Sequence, residues 1–205
     1  MKKLIPLFTL VAGLLIAGCS GHNAKALYHQ QRGDRFFKAG QFDQAEIEYL
    51  HVLRSDAANA HAIGQLGLIY YDEGRLQQAA PYLYKAVQLD TNNVDLHAKL
   101  GFLYQTVGHV KEARAEAEFI LDRCPTNADA PLLLAQTAQM DAQTAPAEKQ
   151  LRQLAQSHDT AAIEVALGTL ALENGHLDEA DTALAFSPRS RLEPRESQVL
   201  RRISP

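Results

Sequence analysis

Histidine and cysteine are the side chains of this 205-residue chain with the most scope for metal or nucleophilic chemistry. The eight histidines form neither a His-Glu-x-x-His pair nor the spacing of a zinc site; they are His22, His29, His51, His61, His97, His109, His158 and His176. No Gly-x-Ser-x-Gly elbow, phosphate-binding P-loop or Gly-x-Gly-x-x-Gly loop occurs either. The sequence therefore predicts no catalytic residue, no metal and no cofactor, and we expect a protein that is not an enzyme.

The two cysteines, Cys19 and Cys124, lie in different settings. Cys124 stands before Pro125 at a predicted helix end, with Arg123 as its one cationic neighbour in sequence. A reactive thiol needs a stronger cationic setting, so we interpret Cys124 as a packed thiol. Cys19 follows Lys2 and Lys3 and an apolar stretch over residues 4–17. Fourteen helical residues reach about 21 Å, short of the roughly 30 Å of a bilayer core, which favours a cleaved signal over residues 1–18 rather than a membrane anchor.

The end of this signal, Ile16-Ala17-Gly18-Cys19, resembles the lipobox of bacterial lipoproteins. The resemblance implies that Cys19 is acylated, becomes the new N-terminus and anchors the protein to a membrane of the cell envelope through several acyl chains. Ser20 stands where an aspartate would resemble the inner-membrane retention signal of enteric bacteria, so we expect the periplasmic face of the outer membrane. Residues 19–25 would form the lipidated cysteine and a short linker.

Composition and charge limit the partners of this chain. With 46% hydrophobic and 21% charged residues, the chain can bury a core and is not expected to be disordered. Without Lys2 and Lys3, 18 basic residues face 24 acidic ones, a net charge of −6. Such a chain is a poor general binder of nucleic acid.

Glycine, alanine and aromatic residues recur along the chain at a constant spacing of 34 residues. The three columns are Gly33, Gly67 and Gly101; Ala45, Ala79 and Ala113; and Phe36, Tyr70 and Tyr104. Four similar turns begin with Gly40, Gly74, Gly108 and Gly175, and each glycine supplies the left-handed residue that ends a helix. We expect each glycine of the first column to meet the alanine of the following helix, which lets the two helices approach to about 8 to 10 Å.

This pattern resembles the tetratricopeptide repeat family, with the best matches at Leu66-Gly67 with Tyr70 and at Leu100-Gly101 with Tyr104. The fourth unit is degenerate, since Leu134-Ala135 replaces Leu-Gly and Ala138 replaces the aromatic residue. The resemblance implies an all-α, right-handed α-solenoid of about five helix-turn-helix repeats and ten helices. The predicted repeats are 26–59, 60–93, 94–127, 128–160 and 161–187. Residues 188–205 form a basic tail, with a predicted C-terminal capping helix at 193–203.

The resemblance also implies that the first helix of each repeat lines a concave groove for a protein or peptide partner. The groove positions are Asp34, Phe37, Lys38, Leu68, Tyr71, Asp72, Phe102, Gln105, Gln136 and Gln139. Phe37, Tyr71 and Phe102 either anchor a partner or pack against the preceding unit's second helix. Where the family clamps a terminal carboxylate with cations, this chain has Gln30, Asp34, Gly64, Leu68, Ala98 and Phe102. We therefore expect an extended segment or a helix of another protein as the ligand.

Three functional hypotheses follow. Residues 45–50 and 72–83 are similar to the repeat lipoproteins of exosortase and exopolysaccharide systems, which suggests a non-catalytic scaffold in the assembly or export of a surface polymer or protein. The alternative is a pilotin of the type IV pilus that escorts a secretin. A substrate-binding arm of a separate enzyme subunit is the third, because residues 188–205 are too few for a catalytic domain. The oligomeric state is left open.

Overall fold

The computed structural model describes residues 24–158 and 160–185, and for residues 183–185 the backbone alone. All regular structure in this part of the chain is helical. Its helices are α1 (24–38), α2 (Phe42–Ser55), α3 (Ala60–Asp72), α4 (Leu76–Leu89), α5 (Val94–Thr106), α6 (Val110–Arg123), α7 (Ala130–Met140), α8 (Thr144–Ala155), α9 (Ala161–Glu173) and α10 (Leu177–Ala185). The predicted all-α fold of ten helices in consecutive hairpins is confirmed. The signal, Cys19 and the capping helix lie outside the described residues.

The described residues divide into two compact units, with the division between Leu96 and His97. In the first unit α3 packs against both α2 and α4. In the second unit α7 packs against α6, α8 and α9, and α9 also packs against α8 and α10. Second helices thus contact the first helix of the following repeat, so each unit buries its apolar stripes by stacking hairpins. No helix within the described residues is both long and apolar enough to cross a bilayer.

The alanine column lies in the core, since Ala45, Ala79 and Ala113 are fully buried. The expectation that these alanines meet the glycine column holds at Gly101, where an added Cβ atom would lie 3.7 Å from the Ala113 carbonyl oxygen, but other side chains are nearest at Gly33 and Gly67. A Cβ atom added at Gly67 would lie 2.9 Å from Leu83 Cδ2, and one added at Gly33 would lie 2.7 Å from Tyr49 Cε1. Long helical side chains lean toward the N-terminus, so at Gly33 and Gly67 the residue one turn after the alanine covers the glycine, whereas Leu133 of the following repeat covers Gly101.

Four first helices are preceded by a polar residue that binds their first turn; in α7 this residue lies two positions before the N-cap Asp129, which makes no side-chain cap. The side-chain oxygens of these residues accept hydrogen bonds from backbone N–H groups of the first turn at 2.9 to 3.3 Å. They are Asn59, Asn93, Asn127 and Thr160. Each such hydrogen bond satisfies one of the backbone donors that a helix start leaves unpaired, and Asn59 and Thr160 are themselves the N-caps of α3 and α9. The three asparagines have the same spacing as the glycine column and form a further repeat column.

An ionic cluster ties α2 to the turn between α3 and α4. Arg75 Nη1 donates to Glu46 Oε2 at 2.8 Å and to Glu73 Oε2 at 2.9 Å, and the Tyr70 hydroxyl donates to Glu46 Oε1 at 2.9 Å. The Arg75 guanidinium also lies 4.4 Å from the centroid of the Tyr70 ring. The hydrogen bond from Arg75 holds the pKa of Glu46 below its usual range. Glu46 therefore stays ionised, and the cluster stabilises adjacent hairpins.

The turn inside each hairpin places its central residue in the left-handed region. Gly40, Gly74, Gly108 and Gly175 have φ angles from 70° to 82°, as the sequence predicts. In the degenerate fourth repeat this position is Ala142, with φ of 58°. A Cβ atom makes this conformation costly, by about 1 to 2 kcal/mol. The fourth hairpin thus forms in spite of its turn residue.

We expect Ala142→Gly to stabilise the protein by about 1 kcal/mol, because glycine adopts this φ without steric strain. Urea denaturation followed by circular dichroism measures the change. The matched control is Ala115→Gly at an exposed position within α6, which we expect to destabilise the protein by about 1 kcal/mol. Equal destabilisation by both substitutions would contradict a strained turn at residue 142.

Candidate functional site

In the first unit the predicted binding residues lie on α1 and α3. Lys38 and Asp72 are exposed, and the other four, Asp34, Phe37, Leu68 and Tyr71, are half-buried. Half-burial gives each side chain a fixed position and leaves part of its surface accessible. These residues thus form a surface that a partner can reach. Asp34 is held by hydrogen bonds, whereas Phe37 is held by ring packing.

Asp34 joins three helices. Its Oδ1 atom accepts a hydrogen bond of 2.7 Å from the Tyr49 hydroxyl of α2 and lies 2.6 Å from His61 Nε2 of α3. Burial and the Asp34 carboxylate raise the pKa of Tyr49, so the hydroxyl remains a donor. Through Oδ1, Asp34 therefore fixes the positions of α2 and α3 relative to α1.

Phe37 and Tyr71 occupy equivalent positions of α1 and α3, one repeat apart. The Phe37 ring centroid lies 5.5 Å from that of Phe42, the first residue of α2, so this ring packs across the turn of its own repeat. Tyr71 lies at the end of α3 and is half-buried. Both rings keep an accessible part, which is the form that aromatic anchors take at interfaces.

A cavity of about 420 Å³ opens beside Leu68, between α3 and the segment that leads into α5. Its polar lining consists of His61, Gln65, Asp90, Asn93 and Asp95. The Gln65 Oε1 atom is buried and has no hydrogen-bond partner among the described residues. Most of these groups accept hydrogen bonds, so the cavity suits a side chain that donates them, such as lysine or arginine.

The second unit presents side-chain amides on two successive first helices, α5 and α7. Gln105 Nε2 of α5 donates to Gln136 Oε1 of α7 at 2.9 Å, and Gln139 Nε2 donates to the backbone carbonyl oxygen of Thr169 in α9 at 3.5 Å. Phe102 is half-buried on the same helix as Gln105. Amides held at fixed positions both donate and accept, so this surface can pair with the backbone of an extended segment.

The sequence reasoning missed Gln65, Asp90 and Asp95 as lining residues. Asp95 stands one residue after the start of α5, and Asp90 directly follows α4. The recurring asparagines Asn59, Asn93 and Asn127 could have indicated this loop from the sequence. Asn93 Nδ2 donates to Asp90 Oδ2 at 3.0 Å and fixes the loop beside the cavity. Within the described residues, no group of three or more histidine, cysteine or acidic side chains is arranged to hold a metal ion.

Comparison with known proteins identifies the repeat type. Residues 67–108 match the family model described as TPR repeat, the tetratricopeptide repeat. No curated protein matches the chain with significance. The MamA 41-end structure from Desulfovibrio magneticus RS-1 is 17% identical, covers 82% of this chain and 98% of that chain, and has a TM-score of 0.69.

Two further solved structures have the same fold. Pseudomonas aeruginosa PilF is 16% identical, with coverage of 80% of this chain and 75% of that chain and a TM-score of 0.62. The first TPR of Spaghetti (RPAP3), bound to the HSP90 peptide SRMEEVD, is 24% identical, with coverage of 58% and 94% and a TM-score of 0.53. The fold is therefore that of tetratricopeptide repeat proteins.

We expect Asp34→Ala to lower the free energy of unfolding by about 1 to 3 kcal/mol, because it leaves the Tyr49 hydroxyl without its acceptor. The exposed Lys38→Ala on the same helix should change it by less than about 0.5 kcal/mol. Urea denaturation measures both values. If the two substitutions had equal effects, Asp34 would not hold the surface together.

Proposed function

We propose that this protein is a non-catalytic binding scaffold, anchored by an acylated Cys19 to the periplasmic face of the outer membrane. Its partner is a protein segment that binds the first-helix surface of one or both units. The observation that carries this proposal is the set of half-buried aromatic and amide side chains on those helices. Binding of a peptide by this fold is supported by the structure of the first TPR of RPAP3 bound to an HSP90 peptide.

The polar groups of this surface indicate the kind of partner. The six positions that would clamp a terminal carboxylate contain no lysine or arginine, and two of them, Gly64 and Ala98, are buried. The cavity beside Leu68 has carboxylate and amide acceptors, and the mature chain is acidic overall. A segment with apolar residues and at least one lysine or arginine side chain fits this surface better than an acidic C-terminal tail.

The process that the scaffold serves is the assembly or export of a surface polymer or protein. Sequence similarity to the repeat lipoproteins of exosortase and exopolysaccharide systems supports this assignment. The fold similarity to Pseudomonas aeruginosa PilF supports the alternative, a pilotin that escorts a secretin. Deletion separates the two, because a pilotin mutant loses secretin multimers and twitching and keeps polymer secretion. The third candidate is a substrate-binding arm of a separate enzyme subunit, and no feature of the described residues favours it.

A photo-crosslinking amino acid at Tyr71 should give a discrete protein adduct in the native cell. The matched control is Tyr84, an exposed tyrosine on the second helix α4 of the same repeat, which should give no such adduct. Mass spectrometry of the Tyr71 adduct identifies the partner and thereby the pathway. Adducts at neither position, or at Tyr84 alone, would contradict the first-helix surface as the binding site.

Substitution separates binding from folding at the same surface. Tyr71→Ala combined with Phe102→Ala should leave the helical circular dichroism spectrum unchanged and remove the adduct of a crosslinker at Leu68. Gly67→Leu should instead unfold the protein, because a Cβ atom alone already meets Leu83 at 2.9 Å. If the aromatic pair destabilised the protein as much as Gly67→Leu, its residues would belong to the core.

Acylation is tested by growing cells with an alkyne fatty acid and coupling the alkyne to a dye after lysis. We expect label on the wild-type protein and none on Cys19→Ser, with Cys124→Ser as the matched control that keeps the label. A wild-type protein without label would overturn the anchoring proposal and leave the binding surface unaffected.

A further inference from the structure

Helix α1 presents a face that no other first helix of the described chain exposes. Tyr28 is 54% exposed and Arg35 is exposed as well. One and two repeats later, the position of Tyr28 is taken by Ala62 and Leu96, and the position of Arg35 by Ile69 and Leu103. These four side chains are at most 4% exposed. In those helices the two positions are apolar and pack inside the array, whereas α1 has an aromatic and a basic residue there.

The exposed face of α1 combines apolar and basic side chains. At 100° per residue, positions 27, 28, 31, 35 and 38 fall within an arc of about 100°. Leu27 and Tyr28 are 53% and 54% exposed, and Arg35 and Lys38 are exposed on the same arc. Lys25 is also exposed and lies about 60° outside this arc, in the first turn of the helix. This pattern is typical of a helix that lies on a membrane surface.

The charge of α1 is opposite to that of the chain. Residues 24–38 contain four basic residues and one acidic residue, in a mature chain with a net charge of −6. Arg32 is used within the fold, with its Nη2 atom 3.2 Å from Glu48 Oε1, and Asp34 is held by Tyr49 and His61. Lys25, Arg35 and Lys38 form no ion pair within the described residues. Three cations are therefore available to an anionic partner.

Chain length places this face near the membrane. Residue 24, the first described residue of α1, is five positions after Cys19, and a chain of that length spans at most about 18 Å. An acyl chain on Cys19 ends at the level of the lipid headgroups. Helix α1 therefore begins at most about 18 Å from that surface, which is about two Debye lengths, since one Debye length is about 8 to 10 Å. The linker also allows direct contact.

We propose that the exposed face of α1 binds an anionic lipid surface, with Leu27 and Tyr28 in the headgroup region and Lys25, Arg35 and Lys38 on the lipid phosphates. The argument from proximity rests on the proposed acylation of Cys19. Contact through α1 adds a second attachment to the acyl anchor and orients the array relative to the membrane. Each cation at such a surface strengthens binding about fivefold.

The test uses the mature polypeptide, residues 19–205, with Cys19→Ser so that no acyl chain contributes. We expect it to sediment with phosphatidylcholine vesicles that contain about 30 mol% phosphatidylglycerol, not with pure phosphatidylcholine, and to dissociate in about 0.5 M NaCl. Lys25→Glu combined with Arg35→Glu should weaken binding at least about tenfold. The control, Lys85→Glu with Lys149→Glu, changes the net charge equally at exposed positions of α4 and α8 and should keep binding.

Each other outcome overturns this proposal. No sedimentation with anionic vesicles, or equal loss in both charge-reversed variants, would show that α1 is not the contact. A crosslinker at Tyr28 that captured a protein, together with absent vesicle binding, would assign the face to a protein partner. These results are independent of alkyne labelling: a labelled Cys19 with no vesicle binding refutes the α1 contact alone, and an unlabelled Cys19 with vesicle binding refutes the acyl anchor alone.

Discussion

The close approach of the two helices in each repeat is the constraint on which the remaining structure depends. At Gly67 of α3 an added Cβ atom would lie 2.9 Å from Leu83 Cδ2 and 3.2 Å from the Leu83 backbone nitrogen in α4, so no larger residue fits there without movement of its neighbours. The approach brings the second-helix alanines into the core and turns the opposite side of the first helix outward. Both the exposure of Tyr71 and the alignment of Gln105 with Gln136 follow from this geometry.

The fold was predictable because its determinants are local and periodic. A glycine in a turn, an asparagine at a helix start and an alanine in the core each fix a single position, and their repetition at a constant spacing makes them visible in one sequence. The fourth repeat shows the limit of such patterns. Ala142 adopts the left-handed conformation without being glycine, since packing of α7 and α8 offsets the local strain.

The polar contacts were not predictable because they join residues far apart in sequence. His29 Nδ1 lies 2.7 Å from Glu48 Oε2, and His97 Nδ1 lies 2.6 Å from Glu116 Oε2, at positions related by two repeats. The repeat between them has Ile63 and Tyr82 instead. The fold thus accepts either a part-buried histidine–glutamate pair or isoleucine and tyrosine at these two positions, and sequence periodicity does not reveal which contacts form. The hydrogen bonds of Asp34 were hidden for the same reason.

The repeat geometry also determines where new function can arise. An interior first helix has one side against its own hairpin and another against the preceding one, so only its third side can vary without loss of packing. Ala62 and Ile69 are fully buried, which shows that α3 has no such freedom at these positions. In α1 the same positions are released from packing and carry Tyr28 and Arg35. The positions of Tyr28 and Arg35 can therefore vary without loss of packing, which the equivalent positions of α3 cannot.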